Sequence, residues 1–264
     1  MSHEVSSMSL SQLIDGIDVL ETAGDLSCEI TSIEYDSRKV TPGALYVALS
    51  GEFVDGNGYV EDAAMRGAVA IVSQVPSAFG GSFPYVQVAD ARVTLAQLAV
   101  ALFKNPAEKL CAIGVTGTNG KTTISFMLRE ILKAAGRRSG LLGTVRYEVG
   151  ERVLPAVRTT PESPDLQSML SQMVRSECDS VVMEVSSHAL HQHRVDGVSF
   201  DVGIFTNLTQ DHLDYHGTLE EYFEVKSRLF AQVDGHAIVN VDTPWGERLM
   251  GERATGPGRI SYGF

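Results

Sequence analysis

The stretch Cys111-Ala-Ile-Gly-Val-Thr116, followed directly by Gly117-Thr-Asn-Gly-Lys-Thr-Thr123, decides the fold. The first six residues form an apolar run of strand length, and residues 122–135 carry apolar side chains at helical spacing. The predicted apolar face of this helix consists of Ile124, Met127, Leu128, Ile131 and Leu132. A strand, a glycine-rich turn and a helix in this order are typical of a phosphate-binding loop, because the turn directs several backbone N–H groups towards one phosphate. The stretch therefore predicts a nucleotide-binding α/β domain.

The loop departs from the strict GxxxxGK[ST] pattern, since Val115 occupies the first glycine position and Gly114 comes one residue too early. Lys121 would still supply a mobile cation to the phosphates, and Thr122 a hydroxyl to Mg²⁺. The alternative is an ordinary glycine turn with a surface lysine. The strand and the helix that flank the loop favour the phosphate-binding interpretation.

The same alternation of strands and helices continues on both sides of the loop. Strands are predicted at residues 30–35, 44–49, 68–72, 85–88, 180–185, 202–205 and 237–241. Helices are predicted near residues 10–19 and at 60–66, 94–103, 165–174 and 219–230. Such alternation indicates α/β architecture with mostly parallel sheets.

Asn105-Pro106 is the predicted joint between two domains, because the residue before a proline is pushed out of helical geometry. We predict a small N-terminal α/β domain over residues 1–107. Residues 108–264 would form a P-loop-type, mostly parallel sheet with helices on both faces, and this second domain would be incomplete.

The composition excludes several classes of protein. The chain has 264 residues, of which 44% are hydrophobic, and a formal net charge of −12, which argues against general affinity for nucleic acid. Its three cysteines lie far apart in the sequence and show no zinc spacing, so a reducing cytoplasm is the simplest compartment. No apolar run reaches the ~20 residues that a membrane-spanning helix needs. We therefore expect a cytoplasmic protein without membrane insertion.

An acidic residue ends another apolar strand, Val181-Val-Met-Glu-Val185, and is followed by Ser186, Ser187 and His188. The carboxyl ends of parallel strands gather at one edge of a sheet, so Glu184 would lie beside the phosphate loop and could hold Mg²⁺. A solvated or capping carboxylate is the alternative.

A third cluster of ligand-type side chains follows the strand that ends at Phe205. Its polar residues are Asn207, Asp211, His212, Asp214 and His216. This density suits metal or nucleotide contacts, with a simple turn as the alternative at His216. The spacing of His188, His191 and His193 does not match a zinc helix, so we reject a zinc site there.

Several separate segments, in the same order, closely resemble the Mur ligases, which extend the peptide of peptidoglycan precursors. They are residues 117–123, 183–188 and 206–212, together with Asp36-Ser-Arg38, Pro42-Gly43, Arg158-Thr-Thr160, residues 186–194 and residues 222–230. The finer resemblance is to the members that add the third residue, meso-diaminopimelate or L-lysine, to UDP-N-acetylmuramoyl-L-alanyl-D-glutamate.

The resemblance implies the role of each matching residue. ATP would be bound by Gly117, Thr118, Asn119, Gly120, Lys121, Thr122, Thr123 and Asn207. The UDP-sugar acceptor would be bound by Tyr35, Ser37, Arg158, Thr159, Thr160, Ser186, Gln192 and Arg194. Thr122 and Glu184 would bind one Mg²⁺ ion, and Glu184 with His212 a second, with Lys226 as its carbamate a further metal ligand. The implied catalytic residues are Lys121, Glu184, His212 and Lys226. Without the resemblance, Lys226 would be interpreted as a surface lysine.

The resemblance also implies the reaction and the partners. ATP with Mg²⁺ would convert the D-glutamate carboxylate to an acyl phosphate, and a diamino acid would then displace phosphate. The family has three domains, so we expect this chain to lack the third, amino-acid-binding domain, to be inactive alone, and to be monomeric when complete.

Two alternative functions stay open. The nearest is another ligase of the superfamily, either one adding D-Ala-D-Ala or a folylpolyglutamate synthase. The more distant is a nucleotide-binding module without ligase activity.

Overall fold

The computed structural model describes residues 7–51, 54–77, 79, 81–252 and 258–264. It divides into two compact units, Met1–Lys104 and Asn105–Phe264. Among the described residues, no helix is both long and apolar enough to cross a bilayer.

The first unit is built on a mixed sheet. Its strands are β1 (Met8–Ser9), β2 (Val19–Ala23), β3 (Glu29–Ile30), β4 (Ser32–Glu34), β5 (Ala44–Val47), β6 (Ala68–Ser73) and β7 (Tyr85–Val88). Its α-helices are α1 (Leu10–Leu13), α2 (Val60–Met65) and α3 (Ala91–Phe103). Within the described residues, five strands lie in the order β2-β7-β6-β5-β4, with β2 antiparallel to β7 and the others parallel, while β1 pairs with β3.

Apolar side chains cover both faces of this sheet. On one face, Leu13 of α1 and Leu98 of α3 pack against strand residues such as Leu45. On the other face, Ala63 of α2 packs with Tyr46. The sheet is therefore a middle layer between helices, as the alternating sequence pattern predicts.

The helix predicted near residues 10–19 is wrong beyond Leu13. Gly16 adopts a positive φ of 79°, which favours glycine and interrupts a right-handed helix. The chain then enters β2, whose residues pair with β7. Strand pairing therefore overrides the weak local helical pattern in this segment.

The second unit contains a larger sheet. Its strands are β8 (Cys111–Thr116), β9 (Ser139–Leu142), β10 (Arg146–Val149), β11 (Arg152–Pro155), β12 (Ser180–Glu184), β13 (Phe200–Phe205), β14 (Val233–Asn240) and β15 (Gly258–Tyr262). Its α-helices are α4 (Lys121–Ala134), α5 (Ser163–Arg175), α6 (Ser187–His191), α7 (Leu213–His216), α8 (Leu219–Ser227) and α9 (Pro244–Glu252).

The strand order brings three strand ends together. In the described part of this unit, eight strands lie in the order β11-β10-β9-β12-β8-β13-β14-β15. The six strands from β9 to β15 in this order are parallel. In the described part of the sheet only β10 runs in the opposite direction, and it pairs antiparallel with both β9 and β11. The central strand β8 lies between β12 and β13. Strands β9 to β12 are added on one side of β8, and strands β13 to β15 on the other side. Ligand sites of open α/β sheets form at such a reversal, at the carboxyl ends of the strands.

Helices cover both faces of the second sheet. Leu170 of α5 and Phe223 of α8 belong to the larger core, which also contains Phe205. On the other face, α4 packs over a smaller cluster that includes Val115 and Val182. The mostly parallel sheet with helices on both faces agrees with the fold class predicted from the sequence.

The predicted apolar face of α4 is only partly correct. Ile124, Leu128 and Leu132 pack against the sheet. Met127 and Ile131 are 59% and 63% exposed. The helix contacts the sheet through Ile124, Leu128 and Leu132, which are spaced four residues apart. Met127 and Ile131 lie beside this row on the helix surface and face outwards.

Candidate active site

A cavity of about 520 Å³ opens at the carboxyl ends of the central strands of the second unit. The described residues that line it are Thr118, Asn119, Gly120, Lys121, Thr122, Thr123, Thr144, Arg158, Thr159, Glu184, Ser186, His188, Gln192, Arg194 and His212. The phosphate loop, the acidic strand end and the polar loop after β13 therefore contribute to one cavity, as their positions in the sheet require.

The phosphate loop has the backbone geometry that only glycine adopts readily. Gly117 has a φ of 139°, and a Cβ atom there would lie 2.0 Å from the hydroxyl oxygen of Thr206. Gly120 also has a positive φ and precedes the first residue of α4. The loop can therefore curl tightly at the helix N-terminus, where backbone N–H groups favour an anion.

The loop that follows β13 holds the phosphate loop in place. The backbone N–H of Thr118 donates to the carbonyl oxygen of Asn207 at 2.9 Å. The N–H of Asn119 donates to the side-chain oxygen of Asn207 at 3.0 Å. Thr206 donates its hydroxyl to the carbonyl oxygen of Asn119 at 2.6 Å. Gly117 and Asn207, both predicted ATP contacts, are not among the described residues that line the cavity. Gly117 allows the turn of the loop, and Asn207 accepts hydrogen bonds from its backbone.

Lys121 folds back onto its own loop. Its ammonium group donates to the carbonyl oxygens of Gly117 at 2.9 Å and Thr118 at 2.8 Å. Burial lowers the pKa of Lys121, while the carboxylates of Glu184 and Asp211 oppose this shift. The side chain is thus a partly buried cation beside the loop, within reach of a bound phosphate.

Glu184 is fully buried and is the hydrogen-bonding centre of the cavity. One carboxylate oxygen accepts the hydroxyl protons of Thr122 and of Thr144, both at 3.0 Å. The other oxygen accepts the backbone N–H of Thr144 at 3.1 Å. The structure therefore brings together Thr122 and Glu184, the two predicted ligands of one Mg²⁺ ion.

Hydroxyl and carboxylate oxygens are the donors that Mg²⁺ prefers, and the ion commonly takes only one or two protein carboxylates together with phosphate oxygens. Within the described residues, no group of three or more His, Cys, Asp or Glu side chains converges to hold a metal ion. The Thr122–Glu184 pair fits a Mg²⁺ ion shared with nucleotide phosphates, and does not form a site that could hold the metal by itself.

The two other predicted metal ligands lie in different surroundings. His212 lines the cavity, and its ring centre is 5.1 Å from that of His188. Lys226 is only 1% exposed, and its amine donates to the carbonyl oxygen of Gly117 at 2.9 Å. It also lies 4.5 Å from the centre of the Tyr222 ring, and it is not among the described lining residues.

Burial holds the pKa of Lys226 well below its usual range, and the nearby charge of Lys121 lowers it further. An isolated lysine on a helix is normally a charged surface residue. Lys226 is instead buried in the structure, so the interpretation as a surface lysine does not hold.

The same cavity is also lined by the predicted acceptor residues Arg158, Thr159, Ser186, Gln192 and Arg194. They come from the segment before α5 and from the region of α6.

Thr160 differs from these residues because it is fully buried. Its hydroxyl donates to the carbonyl oxygen of Glu184 at 2.7 Å and accepts the N–H of Ser186 at 3.1 Å. Thr160 therefore supports the end of β12, and it is not one of the described residues that line the cavity.

A buried carboxylate that sequence reasoning missed, Glu162, lies beside the cavity arginines. Its oxygen is 2.9 Å from Arg194 in a pair whose side chains are 6% and 7% exposed, and 3.8 Å from Arg158. The same Arg194 donates to the carbonyl oxygen of Thr160 at 3.1 Å and to the side chain of Gln192 at 2.6 Å. Glu162 thus fixes the direction of Arg194. Its position beside two arginine-bearing segments is visible only in three dimensions.

The two acceptor residues predicted in the first unit follow β4. Ser37 is 6% exposed and begins a short 3-10 turn, while Tyr35 is partly buried. Asp36 caps this turn by accepting the N–H of Arg38, and its hydrogen bond to the Arg38 side chain lowers the pKa of the Asp36 carboxyl. The turn is therefore locally rigid.

His216 does more than form a turn. It is 6% exposed, its ring nitrogen lies 2.9 Å from the hydroxyl oxygen of Ser187, and its ring packs against Tyr222. Burial, and then the neighbouring charge of His188 and His191, lower the pKa of His216 to about 4. The folded chain therefore holds this imidazole in its neutral form.

This shift predicts an acid dependence of stability. Since the pKa of His216 in the folded chain is about 4 against an ordinary 6.5, the unfolded chain takes up the proton first as the pH falls. The free energy of unfolding should decrease between about pH 6.5 and pH 4, and His216→Gln should make that decrease shallower. Urea unfolding across this pH range measures both. The control is His236→Gln at an exposed histidine. Equal slopes in wild type and His216→Gln would contradict the prediction.

Comparisons with known proteins match segments of both units to one family. The family model described as the Mur ligase middle domain matches residues 115–264, and that of the Mur ligase catalytic domain matches residues 29–102. The UDP-N-acetylmuramoyl-L-alanyl-D-glutamate–2,6-diaminopimelate ligase of Geobacter metallireducens is 44% identical over 265 residues, covering 97% of this chain and 52% of the relative. The ligase of the same name from Geobacillus thermodenitrificans is 49% identical over 224 residues, covering 82% of this chain and 45% of the relative.

Solved structures show the same fold. A structure of a UDP-N-acetylmuramoyl-L-alanyl-D-glutamate–2,6-diaminopimelate ligase superposes with a TM-score of 0.82 at 27% identity, over 97% of this chain and 52% of the other. The MurF ligase of Thermotoga maritima in complex with ADP shares the fold alone, with a TM-score of 0.59 at 22% identity over 88% of this chain and 50% of the other. The chain spans about half the length of the curated relatives that it matches. With a phosphate loop, an acidic strand end and a family model that covers more than half of its residues, the chain belongs to the Mur ligase family.

Proposed function

We propose that this chain forms part of an ATP-dependent ligase that adds meso-diaminopimelate to UDP-N-acetylmuramoyl-L-alanyl-D-glutamate in peptidoglycan synthesis. The observation that carries the proposal is that the phosphate loop and Glu184 line the same cavity as Arg158 and Arg194. The phosphate loop suits a nucleoside triphosphate, and the two arginines suit an acid linked to a sugar. The choice of diaminopimelate over L-lysine follows the names of the relatives.

The proposed chemistry proceeds in two steps. An oxygen of the D-glutamate carboxylate attacks the γ-phosphorus of ATP, and ADP leaves, giving an acyl phosphate. The amine of the diamino acid then attacks the carbonyl carbon, loses a proton and expels phosphate. The reactants of the first step are both anions, so the reaction depends on positive groups that offset their charge.

The residues of this chain have distinct roles in that scheme. The loop of residues 117–123 holds the phosphates through its backbone N–H groups, and Lys121 leaves its loop carbonyls to contact them. Thr122 and Glu184 would hold Mg²⁺, which supplies charge neutralisation at the phosphoryl group when bound. Glu184 and His212 would hold a second ion, and a carbamylated Lys226 would be a further metal ligand. Arg158, Thr159, Ser186, Gln192 and Arg194 would bind the acceptor.

The two units have separate proposed roles. The first binds the uridine nucleotide end of the acceptor through Tyr35 and Ser37, and the second binds ATP. Both nucleotide substrates are cytoplasmic metabolites, so we place the reaction in the cytoplasm.

The proposal is tested by calorimetry on the full-length gene product. The wild type should bind both the UDP-sugar dipeptide and a non-hydrolysable ATP analogue with Mg²⁺. Arg194→Lys should weaken acceptor binding by about tenfold or more, because lysine cannot reproduce the forked geometry of the guanidinium. The matched control is Arg175→Lys on the exposed end of α5, which should change neither affinity.

The outcomes separate the alternatives. A protein that binds the ATP analogue and ignores the UDP-sugar dipeptide would be a nucleotide-binding module or a folylpolyglutamate synthase-like enzyme. A protein that prefers a UDP-sugar tripeptide would be the ligase that adds D-Ala-D-Ala. Either result would overturn the proposed substrate.

A further inference from the structure

Thr144 contacts both the proposed metal-binding carboxylate of Glu184 and Thr159, one of the residues proposed to bind the UDP-sugar substrate. It follows β9 and lines the cavity. Its hydroxyl oxygen lies 3.0 Å from a carboxylate oxygen of Glu184 and 3.0 Å from the hydroxyl oxygen of Thr159. Neither the phosphate-loop pattern nor the resemblance to Mur ligases gave this residue a role.

The backbone at Thr144 approaches Glu184 closely because the preceding residue has no side chain. A Cβ atom at Gly143 would lie 2.3 Å from a carboxylate oxygen of Glu184, so a larger residue here would displace that carboxylate. This approach lets the N–H of Thr144 donate to that oxygen at 3.1 Å. The backbone N–H of Thr144 therefore binds one oxygen of Glu184 and its hydroxyl binds the other, and these two hydrogen bonds limit rotation of the carboxylate.

The carboxylate sets the direction of the hydrogen bonds that lead away from it. An ionised carboxylate only accepts, so Thr144 must donate its single hydroxyl proton to Glu184. In the hydrogen bond between the two threonines, the hydroxyl oxygen of Thr144 must then be the acceptor, and the hydroxyl of Thr159 must be the donor. The remaining lone pairs of the Thr159 oxygen are left for the cavity, where Thr159 acts as a hydrogen-bond acceptor.

We propose that Thr144 is a positioning residue that orients Thr159 as a hydrogen-bond acceptor. The ligand group that donates to Thr159 is the peptide N–H of the terminal acid residue of the UDP-sugar dipeptide. The proposal rests on the proposed function. The peptide N–H fits because it can only donate, and because it belongs to the same residue as the carboxylate that must reach the phosphate loop beside Glu184. A sugar hydroxyl can donate or accept, so it would gain nothing from a fixed direction.

Paired variants of Thr144 test the positioning role in the full-length protein. Thr144→Val removes the hydroxyl at nearly constant shape and should weaken acceptor binding about three- to tenfold, the usual effect of one neutral hydrogen bond. Thr144→Ser keeps the hydroxyl and should bind within about twofold of wild type. The affinity for the ATP analogue without Mg²⁺ should be unchanged in both, and thermal unfolding checks that each variant is folded. Equal acceptor affinities for the two variants would overturn the proposal.

A thermodynamic cycle that combines a modified ligand with a protein variant tests the direction of the hydrogen bonds. The probe is the UDP-sugar dipeptide N-methylated at the peptide N–H of its terminal acid. Methylation should weaken binding to wild type at least about fivefold more than binding to Thr159→Val, since that variant has already lost the acceptor. Any steric effect of the methyl group is common to both proteins and cancels.

The result separates this inference from the function on which it rests. If wild type binds the unmodified acceptor and methylation weakens both proteins equally, the donor–acceptor assignment is wrong and the proposed function stands. If wild type does not bind the unmodified acceptor, both are overturned. Should Thr144→Val fail to fold, the cycle with Thr159→Val decides the question alone.

Discussion

Lys121→Met is expected to reduce ligase turnover by about a thousandfold or more in the full-length protein, because the phosphate loop loses its lysine, the cation that would contact the phosphates. In the structure Lys121 donates to two carbonyl oxygens of the phosphate loop, at 2.9 and 2.8 Å. These contacts keep the ammonium group next to the place where we expect the γ-phosphate. Methionine has a similar length and keeps the packing of the stem, so the variant removes charge more than shape.

Phosphate release with the UDP-sugar dipeptide and diaminopimelate measures this loss, and calorimetry with the ATP analogue measures binding. The matched control is Lys133→Met, an exposed lysine in the last turn of the same helix. Turnover of the control should stay within about twofold of wild type, as expected for an isolated surface substitution. If Lys121→Met and Lys133→Met had equal turnover, the phosphate-binding role of Lys121 would be refuted.

Lys226→Met is expected to lower turnover by at least about a hundredfold, the scale of effect seen when the partners around a metal site are removed. The amine of Lys226 is buried and its pKa is held well below the usual range by burial and by Lys121. A neutral amine can attack the carbon of CO₂ and lose a proton, which forms a carbamate with a negative charge. The positive charge of Lys121, which disfavours the ammonium form of Lys226, would then attract the carbamate.

Removal of CO₂ tests this role independently of the substitution. Wild-type turnover should fall in carbon-dioxide-free buffer and recover when bicarbonate is added, whereas Lys226→Met should show low turnover in both buffers. The control variant is Lys109→Met, at an exposed lysine before β8, whose turnover should follow that of wild type. Turnover of wild type that is independent of CO₂ would count against the carbamate, and turnover retained by Lys226→Met would count against any role of the lysine.

The sequence predicted the elements nearest the site with small errors. The strand at Cys111–Thr116 was predicted over the range that the structure gives, and helix α4 begins one residue earlier than predicted. These segments combine an unbroken apolar run, helical spacing and a glycine turn, so local signals and tertiary packing agree. The strands β9, β10 and β11 were missed, because each has only four residues and β11 has mostly exposed side chains. Short strands of this kind are defined by their pairing partners, which lie elsewhere in the sequence.

The sequence by itself determined the chemical content of the cavity: a phosphate loop with Lys121, an acidic strand end at Glu184 and a cluster of polar residues after β13. These follow from residue type and from the order of neighbouring elements along the chain. Only the tertiary structure decided which of these groups meet. Thr144 reaches Glu184 across 40 positions in the sequence, and Lys226 reaches Gly117 across 109. Those contacts depend on the strand order and on burial in a shared core, and no local pattern of residues encodes either one.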